Sequence, residues 1–111
     1  MKQKGNYGEK LARNFLIHGG FEIIASNFYT RFGELDIIAK RGQHIHIVEV
    51  KLLAKKYIHS GYKINYKKQR RMIQTTQIFM DHYKLYDFYY QFDLVTIISG
   101  QIKHYKNIFT S

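Results

Sequence analysis

Residues 33–51, GELDIIAKRGQHIHIVEVK, decide the fold. They read as two β-strands, 34–40 and 44–51, joined at Gly42. Strand side chains alternate between faces, so Ile45, Ile47, Glu49 and Lys51 share one face of the later strand, and Glu34, Asp36 and Ile38 one face of the earlier. A two-residue turn at Gly42-Gln43, with glycine first as a type II′ turn prefers, pairs Arg41 with His44. Counting back, Asp36 then faces Glu49, and Glu34 faces Lys51. A four-residue loop keeps this register, whereas a three-residue loop would put Asp36 and Glu49 on opposite faces. Directly opposed residues have Cβ atoms about 4.5–5.5 Å apart. Two carboxylates there repel, but together they can chelate one hard divalent cation. Without an ion the same residues make an ordinary cross-strand salt-bridge network of Glu34, Glu49 and Lys51, or leave Asp36 at a turn or edge.

Outward from this hairpin, residues 6–18 read as a helix with Asn6 as cap and Tyr7, Leu11, Ala12, Phe15 and Leu16 as its apolar stripe. Gly19-Gly20 ends it. Glu9 falls at the stripe's edge, about 20° from Leu16 at ~100° per residue. Residues 21–29 form a strand followed by a turn at 30–33. A basic loop spans 53–64, and a second helix spans 66–84, capped by Asn65, with Met72, Ile73, Thr76, Phe79, Met80 and Tyr83 at helical spacing. Strands at 88–98 and 102–109 complete the chain. The fold class is α/β, a single domain over 1–111, with a central mixed β-sheet of about five strands flanked by helices in the order α-β-β-β-α-β-β.

Charge narrows the function. Among 111 residues, 18 are Lys or Arg and 8 are Asp or Glu, a formal +10 with pI near 9.8. A compact domain this basic repels itself unless it meets a polyanion, and nucleic acid is expected before a membrane. A solubilising surface, or a basic face that docks an acidic protein, is the plainer alternative. Tyr57, Tyr62 and Tyr66 lie among Lys55, Lys56, Lys63, Lys67 and Lys68, an interleaving that suits base stacking beside phosphate contacts. Lys67, Lys68, Arg70 and Arg71 open the second helix, where they form either a phosphate clamp or a solvated helix face. There is no cysteine, hence no disulfide and no thiolate-bound metal. No run is apolar enough to span a membrane, and a cytoplasmic location is expected.

Other motifs are weaker. His44 and His46 share the strand face opposite Glu49, with no third ligand evident, and His18, His59, His82 and His104 are scattered. Asp93 sits in an apolar run and is expected to satisfy a buried donor or a backbone turn. No phosphate-binding glycine loop is present.

The pattern G-E-L-D, twelve residues, E-V-K resembles the D-x(n)-E-x-K signature of the PD-(D/E)XK nuclease superfamily. More closely, four pieces resemble the YraN-like family of small bacterial proteins: Gly5, Gly8 and Glu9; Asn27, Arg31, Gly33, Glu34 and Asp36; the HIVEVK strand; and QFDLV around Asp93. They run in the family's order across nearly the whole chain. The resemblance implies a restriction-endonuclease-like fold similar to archaeal Holliday junction resolvases. It implies a metal-dependent nuclease acting on DNA with Mg²⁺ or Mn²⁺. Asp36, Glu49 and Glu9 would be the metal ligands and Lys51 the catalytic lysine. Arg31, Lys55, Lys56, Lys63, Lys67, Lys68, Arg70 and Arg71 are the candidate nucleic-acid contacts, and a branched substrate would imply a homodimer. The family usually follows E-V-K with Thr-Arg, where this chain has Leu52-Leu53, and has Arg before Phe-Asp, where this chain has Gln91. These departures leave room for a second expectation, a nucleic-acid-binding module that keeps the fold without cutting.

Overall fold

A computed structural model describes residues 7–111; Gly5 and the Asn6 cap lie outside them. The elements are α1 (Tyr7–His18), β1 (Glu22–Thr30), β2 (Gly33–Arg41), β3 (His44–Leu53), α2 (Tyr57–Ser60), α3 (Tyr66–Tyr83), β4 (Tyr89–Ile98) and β5 (Gln101–Phe109). They build one mixed sheet in the order β1-β2-β3-β4-β5. Only β3 and β4 run parallel, joined by the crossover that carries α3. This is the expected α/β sandwich, with one difference: the loop at 53–64 contains the single turn α2.

Helix ends follow local chemistry. Gly20, at φ 91°, closes α1, with the Phe21 N–H on Leu16 O and the Gly20 N–H on Ile17 O, both at 3.0 Å. Asn65 Oδ1 caps α3 by accepting from the Lys68 N–H at 2.8 Å. Lys84, in the left-handed region, ends it.

The helices cover opposite faces of the sheet. Ala12 and Leu16 of α1 pack with Phe21, Ile37, Ala39, Val48, Val95 and Ile97. Met72 and Phe79 of α3 pack with Leu35, Ile38, Ile45, Ile47, Phe92 and Leu94. Ile38, Ile45 and Ile47 thus lie together on the α3 face, as alternation requires. The α1 stripe is narrower than expected: Tyr7 and Phe15 are exposed, whereas Gly8 and Glu9 are buried. Close approach of the N-terminal turn to the sheet explains the change. Tyr83, expected on the buried face of α3, is exposed at the helix end. Among the described residues, no helix is long and apolar enough to cross a membrane.

The hairpin register is the expected one, from Arg41↔His44 to Ile37↔Val48. It stops one pair short of Asp36 and Glu49. The Val50 N–H is taken instead by Asp36 Oδ2 at 2.9 Å. On the other side, β1 keeps step with β2 past this point, Ser26 pairing with Ile37 and Phe28 with Leu35, although Asn27 between them has φ 56°; its register shift falls earlier, between Ile23 and Ala25. Leu35 and Ile38 both reach the α3 face. The expected ladder pairs Asp36–Glu49 and Glu34–Lys51 are therefore not formed as ladder pairs. At Asp36 the side chain stands in for a backbone acceptor.

Candidate functional site

Glu9, Asp36 and Glu49 come from α1, β2 and β3, and all are buried. They line one cleft of about 590 Å³, together with Glu34, Lys51, Lys68 and Arg71. Burying carboxylates is costly unless partners or cations offset it, and partners are visible for each. Glu9 stands in the first turn of α1, where the helix dipole favours an anion. With its amide nitrogen turned inward, Asn27 donates to both Glu9 oxygens, at 3.0 and 3.1 Å. Arg13, one helical turn on, reaches Glu9 Oε1 at 3.9 Å. The left-handed backbone of Asn27, unusual for a residue other than glycine, thus belongs to the residue that addresses Glu9. Asp36 holds the Val50 N–H and so ties β2 to β3 beside the cleft.

Glu49 is held by two lysines. Lys68 Nζ lies 2.5 Å from its Oε2, and Lys51 Nζ 3.9 Å from the same oxygen. Partial burial of Lys68 works against its charge. The hydrogen bond to Glu49 and the negative field of Glu49 and Asp36 outweigh that burial, and the pKa is raised above the ordinary lysine value. Sequence placed Lys68 among phosphate contacts; the structure places it in the carboxylate cleft. Lys51 also lies 5.6 Å over the ring of Tyr62, which fixes one side of its ammonium.

The other basic candidates divide. Arg71 lines the carboxylate cleft, and Lys63 lines a neighbouring one beneath α2. Lys55, Lys56, Lys67 and Arg70 are exposed around α2 and the start of α3. Arg70 stacks on Tyr66 at 5.9 Å and Lys56 on Tyr57 at 5.4 Å. Arg31 sits at the β1–β2 turn, its guanidinium 4.9 Å over Phe32.

The α1 face holds a polar cluster that sequence did not assemble. Asp93 is fully buried and accepts four hydrogen bonds: from His46 Nδ1 at 2.6 Å, His104 Nε2 at 2.7 Å, the Asn107 N–H at 2.9 Å and Gln91 Nε2 at 3.0 Å. Burial pushes its pKa up, but the bonds from His104, His46, Asn107 and Gln91 prevail and hold it far below the usual carboxylate range. The expectation that Asp93 satisfies buried donors is met. The expectation that His46 lacks companions and His104 stands alone is corrected. β4 lies beside β3 and β5 beside β4, so three strands deliver the trio to one spot.

Among the described residues, His46, Asp93 and His104 form the group of three whose ligand atoms all lie within 4.8 Å. A carboxylate only accepts, so both imidazoles present N–H rather than lone pairs to it. A metal would need those lone pairs, and the trio is already satisfied by its own bonds. Edge contacts from Phe21 to His46 at 4.8 Å and to His104 at 5.8 Å complete a structural cluster.

These features define a mixed α/β domain with a lysine-flanked cleft lined by four carboxylates and reached by both α1 and the start of α3. The sequence pattern of the Uncharacterised protein family UPF0102 matches residues 8–97, and the chain belongs to that family. A UPF0102 protein of Campylobacter fetus is 38% identical over 104 residues, covering 94% of this chain and 91% of its own. One of Clostridium tetani is 42% identical over 98 residues, covering 87% and 80%. One of Legionella pneumophila is 32% identical over 112 residues, covering 97% and 95%.

Proposed function

We propose that this protein is a metal-dependent nuclease acting on DNA phosphodiester bonds, with a restriction-endonuclease-like fold and a preference for branched DNA of the resolvase kind. The observation that carries the proposal is the convergence of Glu9, Asp36 and Glu49 on one cleft with Lys51 and Lys68 beside them. An all-oxygen donor set of this kind fits a hard cation, and the ammonium of Lys68 on Glu49 shows the site drawing positive charge. Such a set suits Mg²⁺ or Mn²⁺, which keep several waters and take substrate oxygens as ligands. Bound there, the ion would supply Lewis acidity and an activated water.

The chain's own residues do the rest. Asp36 is held in place by the Val50 N–H, and Glu9 by Asn27, so neither carboxylate needs to reorganise. Lys51, steadied over Tyr62, places a positive charge where the phosphate's negative charge grows. Arg71 and the exposed Lys55, Lys56 and Lys67 bind the backbone on either side.

The test is cleavage of linear, flapped and four-way DNA in Mg²⁺ or Mn²⁺. Asp36→Asn should abolish cutting and leave DNA binding in place. If the unaltered protein leaves all three substrates intact, the nuclease reading fails. A second reading, a non-cutting nucleic-acid-binding module, draws on Leu52, which is 60% exposed directly after Lys51 where the resembled family carries a polar residue.

A further inference from the structure

A second cleft, of about 510 Å³, opens beside the carboxylate cleft, beneath the segment that carries α2. Its walls hold four aromatic rings, Tyr57, Tyr62, Tyr105 and Phe109, and its basic residues are Lys63 and Lys103. Among the described residues, no Asp or Glu lines it. It is continuous with the carboxylate cleft in two ways. Along β3, Glu49 and Lys51 line the first cleft and Leu53, two residues on and on the same face, lines the second. Two strand residues span about 6.6 Å. Tyr62 is the hinge between them: its ring lies under the Lys51 ammonium and its side chain walls the aromatic cleft.

Aromatic rings with flanking cations and no anions are the composition that holds unpaired nucleotides, since every base has a face to stack and every phosphate a charge to neutralise. A paired base inside a duplex presents neither face. The volume is also of the size that encloses one small organic group. Tyr57 and Tyr62 meet edge to face at 6.5 Å, so the wall is a formed corner rather than isolated side chains.

We propose that this cleft takes an unpaired nucleotide of DNA next to the phosphate held at Lys51, so that the substrate must expose a single-stranded or splayed segment beside the cut. The proposal rests on the nuclease reading for the position of that phosphate, but binding tests it separately. The experiment is fluorescence anisotropy with labelled oligothymidylate and with a duplex of equal length, in chelator so that no cutting occurs. Tyr105→Ala should weaken oligothymidylate binding about 10-fold, within the range measured for base–aromatic stacking, and leave duplex binding unchanged, whereas Tyr62→Leu, which also releases Lys51, should weaken oligothymidylate binding by a similar factor. The salt dependence should not change for Tyr105→Ala, because a tyrosine neutralises no phosphate. Lys63→Ala should lower the single-strand slope by about 0.7. Far-UV circular dichroism and melting confirm that each variant folds.

If both tyrosine variants bind oligothymidylate as the unaltered protein does, the proposal is overturned. It is also overturned if Tyr105→Ala loses single-strand and duplex affinity equally. Failure here leaves the cleavage assay untouched. A protein that binds oligothymidylate through these tyrosines yet cuts nothing would defeat the nuclease reading and keep the cleft.

Discussion

Lys68→Met removes an ammonium from the carboxylate cleft while keeping an unbranched stem of similar reach. Its partner, Glu49, has a side chain only 4% exposed, whereas that of Lys68 is 37% exposed. Fully exposed ion pairs contribute about 0–1 kcal/mol, and removing one partner of a fully buried pair costs about 3–5 kcal/mol. This pair lies between those limits. Lys51, at 3.9 Å from the same oxygen, compensates in part. Solvent screening at the half-exposed lysine keeps the net figure near 1.5 kcal/mol.

Two effects of opposite sign follow from that one number. In chelator the variant should melt about 6–12 °C lower, since 1 kcal/mol shifts a domain of this size by roughly 4–8 °C. A divalent cation no longer has to displace the ammonium, so Mn²⁺ should bind the variant about 10-fold more tightly. Saturating Mn²⁺ should then close most of the gap in melting temperature. Because the pKa of Lys68 is raised, its contribution is fully present below the unfolded lysine value of about 10.4 and fades only as pH climbs past it through the folded value. Calorimetric Mn²⁺ titration and melts followed by circular dichroism provide the readouts. Equal or weaker Mn²⁺ binding by Lys68→Met would refute the idea that the lysine occupies cation space at Glu49.

Asp93→Leu should destabilise the domain by about 3 kcal/mol in urea denaturation, because the buried His46 ring and the Asn107 N–H lose their acceptor. Its cost should shrink between about pH 5 and pH 2, since a carboxylate with a depressed folded pKa stabilises above its unfolded value, near 4, and loses that contribution as pH falls through the folded one. A cost that does not change over that range would contradict the network's charge. Asn65→Ala should cost about 1 kcal/mol through the lost cap on the Lys68 N–H, read from the same denaturation curves.

Much of the fold was legible locally. The spacing of Gly42-Gln43 between two alternating runs gave the register Arg41↔His44, and alternation placed Ile45 and Ile47 on the face that α3 covers. Asn65 announced the start of α3 because a cap is a contact within four residues. The same local rules brought Asp36 and Glu49 close but missed that the β2–β3 ladder ends at Ile37↔Val48, where the Asp36 side chain takes the Val50 N–H. Glu9 looked marginal from its helical angle alone; docking of the first turn of α1 against the sheet buried it.

The sequence by itself determined which side chains share a face within each strand and helix, and that two acids and a lysine belong to one hairpin. Those are consequences of backbone period, which acts over a few residues. Only the tertiary structure decided what meets across elements. Lys68 left the basic helix face for Glu49 because α3 packs along β2 and β1 and brings its first turn within reach of the β3 acid. His46, Asp93 and His104 form one cluster because their strands are neighbours in the sheet, although 47 residues separate the first pair and 11 the second. The physical reason is the same in both cases: a buried charge takes whatever partner the packing of distant segments brings within hydrogen-bond reach, and no spacing along the chain encodes that distance.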